Sequence, residues 1–213
     1  MAINIAKNGS PEYEHHIVGV RGSRGEFYEA LSKELMDAGV MFHQGPFVEN
    51  RLGIILFPFW FFSLVFKWKP KIIHSHTEVP DLAVVLFYFS GGWLCRKIKY
   101  VRTIHNTVLW TRWEGIGNVV EKFFKKKKAN VAISSSVQKS YENKYFERPP
   151  IIVNGLEHST SRQFHGIDNS RINILFAGRF EWQKGVDEMV EVFRHYSEDP
   201  RFLFHIIGSG SMK

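Results

Sequence analysis

A loop near the carboxyl end of the chain carries side chains of the kinds that bind phosphate. It runs from Gly178 to Gly185, includes Arg179 and Lys184, and separates a strand-like apolar segment from a helical one. Arginine offers a planar pair of donors, lysine a mobile cation, and glycine a backbone that a ligand can approach closely. The positive N-terminal end of the following helix would add to the attraction. The loop is a candidate anion site, although an ordinary strand-to-helix turn with solvated charges has the same pattern.

Three histidines lie at or near the ends of predicted strands. His74 and His76 alternate along one strand, which places both side chains on the same face of a sheet. No third ligand stands at a suitable spacing, so we favour a structural role for this pair over a metal site. His105 ends another strand, where ligands gather in open parallel sheets. It is either a structural strand-end histidine or a residue of a site.

The elements that must position these side chains alternate between strands and helices. Short β-branched runs separated by helical stretches of this length predict βαβ units and a parallel sheet with helices on both faces. The strands predicted in the first part of the chain cover residues 15–20, 40–43, 71–75, 100–105, 131–134 and 151–153. The helices predicted between them cover residues 26–38, 52–68, 81–90, 119–128 and 137–145.

A polar stretch containing glycine and serine, residues 157–170, interrupts the alternation and is predicted to be a linker. The strand (residues 172–177), helix and strand (residues 202–207) that follow form one further βαβ unit within residues 171–213. The sequence therefore predicts a Rossmann-like domain over residues 1–156 and an incomplete second domain after the linker. One βαβ unit leaves apolar surface uncovered, which predicts poor solubility or self-association.

The composition excludes several classes of protein. The chain has 213 residues, 28 Lys+Arg against 21 Asp+Glu, a formal net charge of +7 and 44% hydrophobic residues, so it is too apolar to be disordered. Its single cysteine, Cys95, excludes a disulfide framework and a cysteine-rich metal site and is typical of a reducing compartment. The polar N-terminus lacks the pattern of a secretory signal. We therefore expect a cytoplasmic protein.

Six short segments, in chain order, resemble segments of the family 4 glycosyltransferases with the GT-B fold. The loop from Ala177 to Asp187 is similar to that family's G-R-hydrophobic-x-x-x-K-G-x-D signature. Lys71, in the first of the remaining segments, stands where the family usually has aspartate. Those segments are Pro70-Lys71-Ile72-Ile73-His74-Ser75-His76, Thr103-Ile104-His105-Asn106, Ala132-Ile133-Ser134, Ile152-Val153-Asn154-Gly155-Leu156-Glu157 and Ile206-Ile207-Gly208-Ser209-Gly210.

The resemblance implies transfer of a sugar from a nucleotide-diphosphate sugar to a glycan or lipid-linked acceptor in cell-surface polysaccharide or lipopolysaccharide biosynthesis. It implies retention of the anomeric configuration, with no bound metal and no other cofactor. Gly178, Arg179 and Lys184 would hold the donor diphosphate, whose growing negative charge must be stabilised. His105 would be the catalytic residue facing the donor sugar across the cleft between the domains. The other residues implied to line that cleft are Asn106, Ser134, Asn154, Gly155, Gly208 and Gly210.

Two features of that family have no counterpart in this sequence. One is a first strand with a glycine-rich loop, which Gly19, Gly22 and Gly25 do not replace, because the segment from Gly22 to Gly25 is predicted to be the turn after the second strand. The other is a pair of glutamates beyond the Gly208 segment. We therefore expect a chain truncated at both ends that alone transfers little or no sugar. The alternative is a non-catalytic remnant or subunit that binds an acceptor, a membrane or a partner.

Aromatic residues lie beside lysines in two segments. The first is residues 52–71, and the second is residues 125–128 together with the two phenylalanines that precede them. Such segments can lie in a bilayer interface and attract anionic lipid. The same pattern has a structural explanation. The aromatic helix can pack under the sheet, and the lysine run can be a solvated helix end. The apolar part, interrupted by Pro58, is shorter than the roughly 20 residues that span a bilayer, so any association would be peripheral, on the inner face of the cell membrane.

Nucleic-acid binding is a different class that the basic charge and the interleaved aromatics suggest. No recognisable RNA- or DNA-binding module accompanies them. Net charge describes non-specific association rather than function. We therefore expect no nucleic-acid partner.

Overall fold

Strands and helices alternate throughout the computed structural model, which describes residues 2–48, 50–155 and 167–211. The chain divides into two units, Met1–Glu157 and His158–Lys213. All paired strands are parallel. Most of the predicted linker, residues 157–170, lies outside the described residues.

The first unit contains six helices and five strands among its described residues. The strands form two sheets: β1 pairs with β2, and β4 lies between β3 and β5. A 3-10 turn, Gly92–Leu94, connects α4 to β4. In chain order the elements are α1 (Ala2–Lys7), β1 (His16–Gly19), α2 (Glu26–Asp37), β2 (Met41–Gln44), α3 (Asn50–Trp68), β3 (Ile72–His76), α4 (Glu78–Phe89), β4 (Lys99–Ile104), α5 (Glu114–Lys127), β5 (Asn130–Ala132) and α6 (Ser135–Tyr145).

The strand predicted over residues 151–153 is wrong. Only a single parallel bridge forms there, between Ala132 and Ile151. Pro149 and Pro150 immediately precede it, and proline has no N–H to donate to a ladder. The pairing therefore shrinks to the two bonds of this bridge, from the Ala132 N–H to the Pro150 carbonyl and from the Ile152 N–H to the Ala132 carbonyl, each 2.9 Å long.

The core of the first unit contains one side of the aromatic helix α3. Phe57 and Phe61 are buried and stack with ring centroids 4.8 Å apart, and Phe61 meets Phe87 of α4 edge to face at 5.0 Å. Each buried side chain of this size contributes roughly 1.5–3 kcal/mol. Packing therefore explains one face of α3, whereas its opposite face remains exposed.

The second unit is a single βαβ unit. It contains β6 (Ile172–Ala177), a 3-10 turn (Trp182–Lys184), α7 (Val186–His195) and β7 (Phe202–Ile207). Phe193 of α7 packs on Phe204 with ring centroids 4.3 Å apart, so the helix covers that face of the sheet. Leu175 and Ile207, which the strand register places on the other face, are exposed.

Candidate functional site

The loop after β6 lies beside the segment that follows β7. The Gly178 N–H donates to the Ile207 carbonyl at 2.9 Å, and the Phe180 N–H donates to the Ser209 carbonyl at 2.9 Å. Two segments that are distant in sequence, each containing predicted site residues, therefore meet at the carboxyl ends of β6 and β7. This is the edge of a parallel sheet where ligands bind.

Two glycines allow this close approach. A Cβ on Gly208, whose φ is +155°, would collide with the Gly178 carbonyl oxygen. A Cβ on Gly210 would collide with the backbone of Phe180. At Gly178, by contrast, a Cβ would meet only the ring of Phe176, at 3.9 Å, so packing leaves open space beside this residue.

Arg179 and Lys184 are both exposed in this loop. No side chain in the described part of the chain forms an ion pair or hydrogen bond with either of them. Glu181, which lies between them, accepts hydrogen bonds from the Ser211 hydroxyl at 3.0 Å and the Ser211 N–H at 3.4 Å. The two cations therefore remain available to an external anion.

The start of α7 differs from the sequence-based expectation of a free positive helix end. Asp187 and Glu188 occupy its first turn, and Glu188 folds back toward Gly185. Its Oε2 lies 3.4 Å from the position that a Cβ on Gly185 would take. A carboxylate in this place complements the helix dipole from within the chain. The attraction for an anion must therefore come mainly from Arg179 and Lys184.

The three histidines meet at the carboxyl ends of β3 and β4. His76 Nδ1 and His105 Nε2 are hydrogen-bonded at 3.1 Å, and His74 Nε2 lies 2.8 Å from Thr103 Oγ1. The His74 and His76 rings lie 4.2 Å apart, and the His76 and His105 rings 5.4 Å apart. The contact between His76 and His105 was not predicted from the sequence, although both residues lie at the ends of strands that a parallel sheet can place side by side.

Burial lowers the pKa of His74, His76 and His105. The pKa of His76 falls to about 3, because burial and the neighbouring His74 and His105 all disfavour its charged form. At neutral pH the pair is uncharged, so one ring of the bond between His76 and His105 donates and the other accepts. Among the described residues, no group of three His, Cys, Asp or Glu side chains is arranged to hold a metal ion.

We expect the replacement His76→Asn to flatten the dependence of stability on pH. Between the ordinary pKa of 6.5 and about 3, the unfolded chain binds a proton at His76 that the folded chain does not, so stability falls as the pH falls through this window. Because the His76 side chain is partly exposed, we discount the full effect. Between pH 7 and pH 5, we expect the free energy of unfolding to fall by about 1 kcal/mol more in the parent than in the variant. Urea denaturation at both pH values measures this. Asn106→Ala, at an exposed neighbour, should keep the parent's slope, and a parental slope in His76→Asn would contradict the prediction.

The other predicted site residues have simpler surroundings. Ser134 caps α6, since its hydroxyl accepts a hydrogen bond from the Val137 N–H at 3.3 Å. Asn106 follows β4 and is exposed. Asn154 and Gly155 are exposed, and a Cβ on Gly155 would meet nothing within 4 Å.

A buried ionic network centres on Arg102 and was not predicted from the sequence. Arg102 of β4 is 0% exposed and donates to Asp81 at 2.7 Å and, with two nitrogens, to Glu121 at 2.7 Å each. Trp110 Nε1 and the Tyr141 hydroxyl also donate to Glu121, at 2.7 and 2.6 Å. The network joins β4 to α4, α5 and α6. An arginine in the middle of a predicted strand was the available signal.

Burial raises the pKa of Asp81 to about 6, even though Arg102 and the Ser75 hydroxyl act in the opposite direction. The paired carboxylates raise the pKa of Arg102, which stays charged. The network therefore anchors β4 to α4 and α5 at Arg102, one residue before Thr103 and three before His105.

Comparisons with known proteins concern the family and the fold of the chain. The family model "Glycosyltransferase Family 4" matches residues 3–160, and the model "Glycosyl transferases group 1" matches residues 157–213. None of the curated proteins matches the chain. Among solved structures, the chain is similar to a glycosyltransferase from Rickettsia africae ESF-5, with 16% identity and a TM-score of 0.64.

The alignment with that structure covers 99% of this chain and 64% of the other. At this level of identity the likeness concerns the fold, which matches the Rossmann-like parallel sheets and flanking helices of the GT-B glycosyltransferases. The match over residues 3–160 covers most of the chain. The chain therefore belongs to glycosyltransferase family 4.

Proposed function

We propose that this chain serves the transfer of a sugar from a nucleotide-diphosphate sugar to a hydroxyl of a glycan or lipid-linked acceptor. The observation that carries the proposal is the loop after β6, in which Arg179 and Lys184 are exposed and have no partner within the described residues. The open space beside Gly178 would admit a phosphate oxygen close to the backbone.

The chemistry explains why two cations are needed. When the bond to the sugar breaks, the nucleotide diphosphate leaves with additional negative charge, and positive groups already in place stabilise that charge in the transition state. Arginine can bind two phosphate oxygens at once, and lysine supplies a second charge. The two together can do the work of a divalent metal. The catalytic residue of this proposal is His105, which follows β4 in the first unit.

Binding of UDP, GDP and ADP to the full chain, measured by calorimetry in the presence of EDTA, tests this proposal. We expect at least one nucleoside diphosphate to bind, more tightly than its monophosphate and less tightly as salt increases. Absence of binding, or binding only with added Mg²⁺, would contradict it and would favour a non-catalytic remnant or subunit. The same preparation tests the expectation that the chain alone transfers little or no sugar, which measurable transfer would contradict.

A second candidate activity is peripheral association with an anionic membrane. Leu52, Ile55, Phe59 and Phe66 recur at helical spacing on the exposed face of α3, with Phe59 70% and Phe66 68% exposed. None of the helices in the part of the chain described by the structure is both long and apolar enough to cross a bilayer. An apolar helical face can instead lie in the bilayer interface.

This apolar surface continues beyond α3. Phe66 stacks on Phe62 with centroids 6.0 Å apart, and the Phe62 ring lies 3.4 Å from the position of a Cβ on Gly91. The exposed Trp93 and Leu94 follow in the 3-10 turn. Basic residues lie at the end of α3 and after the 3-10 turn in the sequence, and they would attract anionic headgroups. They are Lys67, Lys69, Lys71, Arg96, Lys97 and Lys99.

We expect the double replacement of Phe59 and Phe66 by glutamine to reduce binding to vesicles of phosphatidylcholine and phosphatidylglycerol at least about tenfold, because each exposed ring buries substantial apolar area in the interface. Co-sedimentation measures the bound fraction. The control is Phe146→Gln, since Phe146 is 84% exposed at the end of α6. Equal binding by the double variant and the control would refute membrane docking by α3.

A further inference from the structure

A surface cavity of about 290 Å³ lies at the opposite end of β4 from the histidines. Its lining includes Tyr88 at the end of α4, Trp93 and Arg96 after it, Tyr100 in β4 and Lys127 in the last turn of α5. Tyr100 and His105 are five residues apart, or about 17 Å along an extended strand. The cavity is therefore separate from the edge of the sheet that carries the histidines.

Tyr100 carries a polar group that no other described residue satisfies. The residue is 8% exposed, and its hydroxyl is buried with no hydrogen-bond partner. Burial, with Cys95 and Tyr88 nearby, raises the pKa of Tyr100 to about 12, so the hydroxyl stays protonated and is a donor. Leaving a buried donor without an acceptor costs roughly 1–3 kcal/mol, which a ligand oxygen in the cavity would recover.

The charges around the cavity select the kind of ligand. The Lys127 Nζ lies 3.3 Å from the Tyr88 hydroxyl oxygen and over the rings of Tyr88 and Tyr100, 4.5 and 5.8 Å from their centroids. Arg96 is exposed at the rim. No acidic residue lines the cavity, and no carboxylate of the described residues pairs with Lys127 or Arg96. Cations and hydroxyl donors without a carboxylate suit an acceptor-rich anion such as phosphate.

Size and position favour one source of that phosphate. The volume is at the lower limit of typical ligand pockets, so it suits a headgroup better than a nucleotide sugar. Trp93, in its lining, is exposed and belongs to the apolar surface that continues from α3. A phosphate bound here would therefore lie beside the apolar surface that is proposed to enter the bilayer interface.

We propose that this cavity binds the phosphate of an anionic lipid headgroup, with Tyr100 as a hydrogen-bond donor and Lys127 and Arg96 as the cations. The inference rests on the membrane association proposed above and assigns a headgroup site to it. Lys127 donates a hydrogen bond to the Tyr88 hydroxyl in the lining of the cavity, and the Tyr100 hydroxyl would donate to the phosphate.

The replacement Tyr100→Phe tests the site, because it removes only a hydroxyl that has no hydrogen-bond partner among the described residues. We expect it to lower affinity for vesicles containing phosphatidylglycerol about tenfold, as the loss of a hydrogen bond to a charged group predicts. The thermal midpoint should stay the same or rise. Lys127→Gln should also weaken binding, whereas Lys126→Gln removes the same charge from the neighbouring residue and should weaken it much less. Parental vesicle affinity in Tyr100→Phe would overturn the proposal.

Two further measurements separate this proposal from membrane docking and from a free phosphate ligand. Dihexanoyl phosphatidylglycerol, used below its micellar concentration, needs the cavity but no bilayer. If the Phe59 and Phe66 double variant still binds this monomeric lipid and Tyr100→Phe does not, the result supports the headgroup site. It does so even if membrane docking by α3 is refuted. If Tyr100→Phe weakens binding of glycerol 3-phosphate but of neither lipid preparation, the ligand is a free phosphate ester and the lipid assignment is wrong.

Discussion

Replacement of Arg102 by alanine is expected to lower the free energy of unfolding by about 3–5 kcal/mol, because it leaves Asp81 and Glu121 buried without their cation. Arg102 is 0% exposed and makes three hydrogen bonds of 2.7 Å to these carboxylates. A loss of this size is a large part of the total stability of an ordinary domain, roughly 5–15 kcal/mol. Urea denaturation followed by circular dichroism measures it.

The matched control is Arg148→Ala. Arg148 is exposed and its nitrogen lies 3.9 Å from a Glu142 oxygen, so its removal should cost between about 0 and 1 kcal/mol. Arg102→Lys should restore only part of the loss, since lysine lacks the planar fork that binds Glu121 with two nitrogens. A cost for Arg102→Ala no greater than that of the control would contradict a stabilising role for the network.

The loss in Arg102→Ala should also depend on pH. The pKa of Asp81 is already raised to about 6 beside its partner, and removing the cation raises it further. A carboxyl with a raised pKa binds a proton in the folded state more readily than in the unfolded state, so the deficit of the variant relative to the parent should shrink as the pH falls from 7 to 5.

Replacement of Arg179 by alanine is expected to weaken binding of the favoured nucleoside diphosphate by about ten- to a hundredfold, the usual effect of losing hydrogen bonds to a charged group. The prediction rests on the proposed donor site. Because Arg179 is exposed and has no partner in the described residues, the thermal midpoint should not change. Loss of binding without loss of stability distinguishes a ligand contact from a structural role.

Lys184→Ala should have a smaller effect in the same direction, since lysine supplies a charge without paired geometry. Arg201→Ala is the control in the same unit, because Arg201 bonds to Asp199 at 2.7 Å on the surface. Calorimetry of the three variants under identical salt gives the comparison. Parental affinity in Arg179→Ala would refute the assignment of this loop to the donor diphosphate.

The regular elements could be predicted from local patterns, because an amphipathic period depends only on neighbouring residues. The helix predicted over 26–38 is observed as Glu26–Asp37, and the strands predicted over 172–177 and 202–207 are observed as Ile172–Ala177 and Phe202–Ile207. The short helix Ala2–Lys7 was not predicted, since six residues carry too little of a helical period. The prediction of a strand over 151–153 was wrong because it relied on the apolar composition of these residues and disregarded the two prolines before them.

The sequence by itself determined the alternation of strands and helices, the family segments, and the two cations of the loop between β6 and α7. Only the tertiary structure decided which face of α3 is buried and that His76 is hydrogen-bonded to His105. It also showed that the close approach of the two loops requires glycine at positions 208 and 210. It also decided that Arg102 meets Asp81 and Glu121, which lie 21 and 19 residues away. The physical reason is that such contacts depend on strand register and helix packing between distant segments, whereas periodicity and turn chemistry are local.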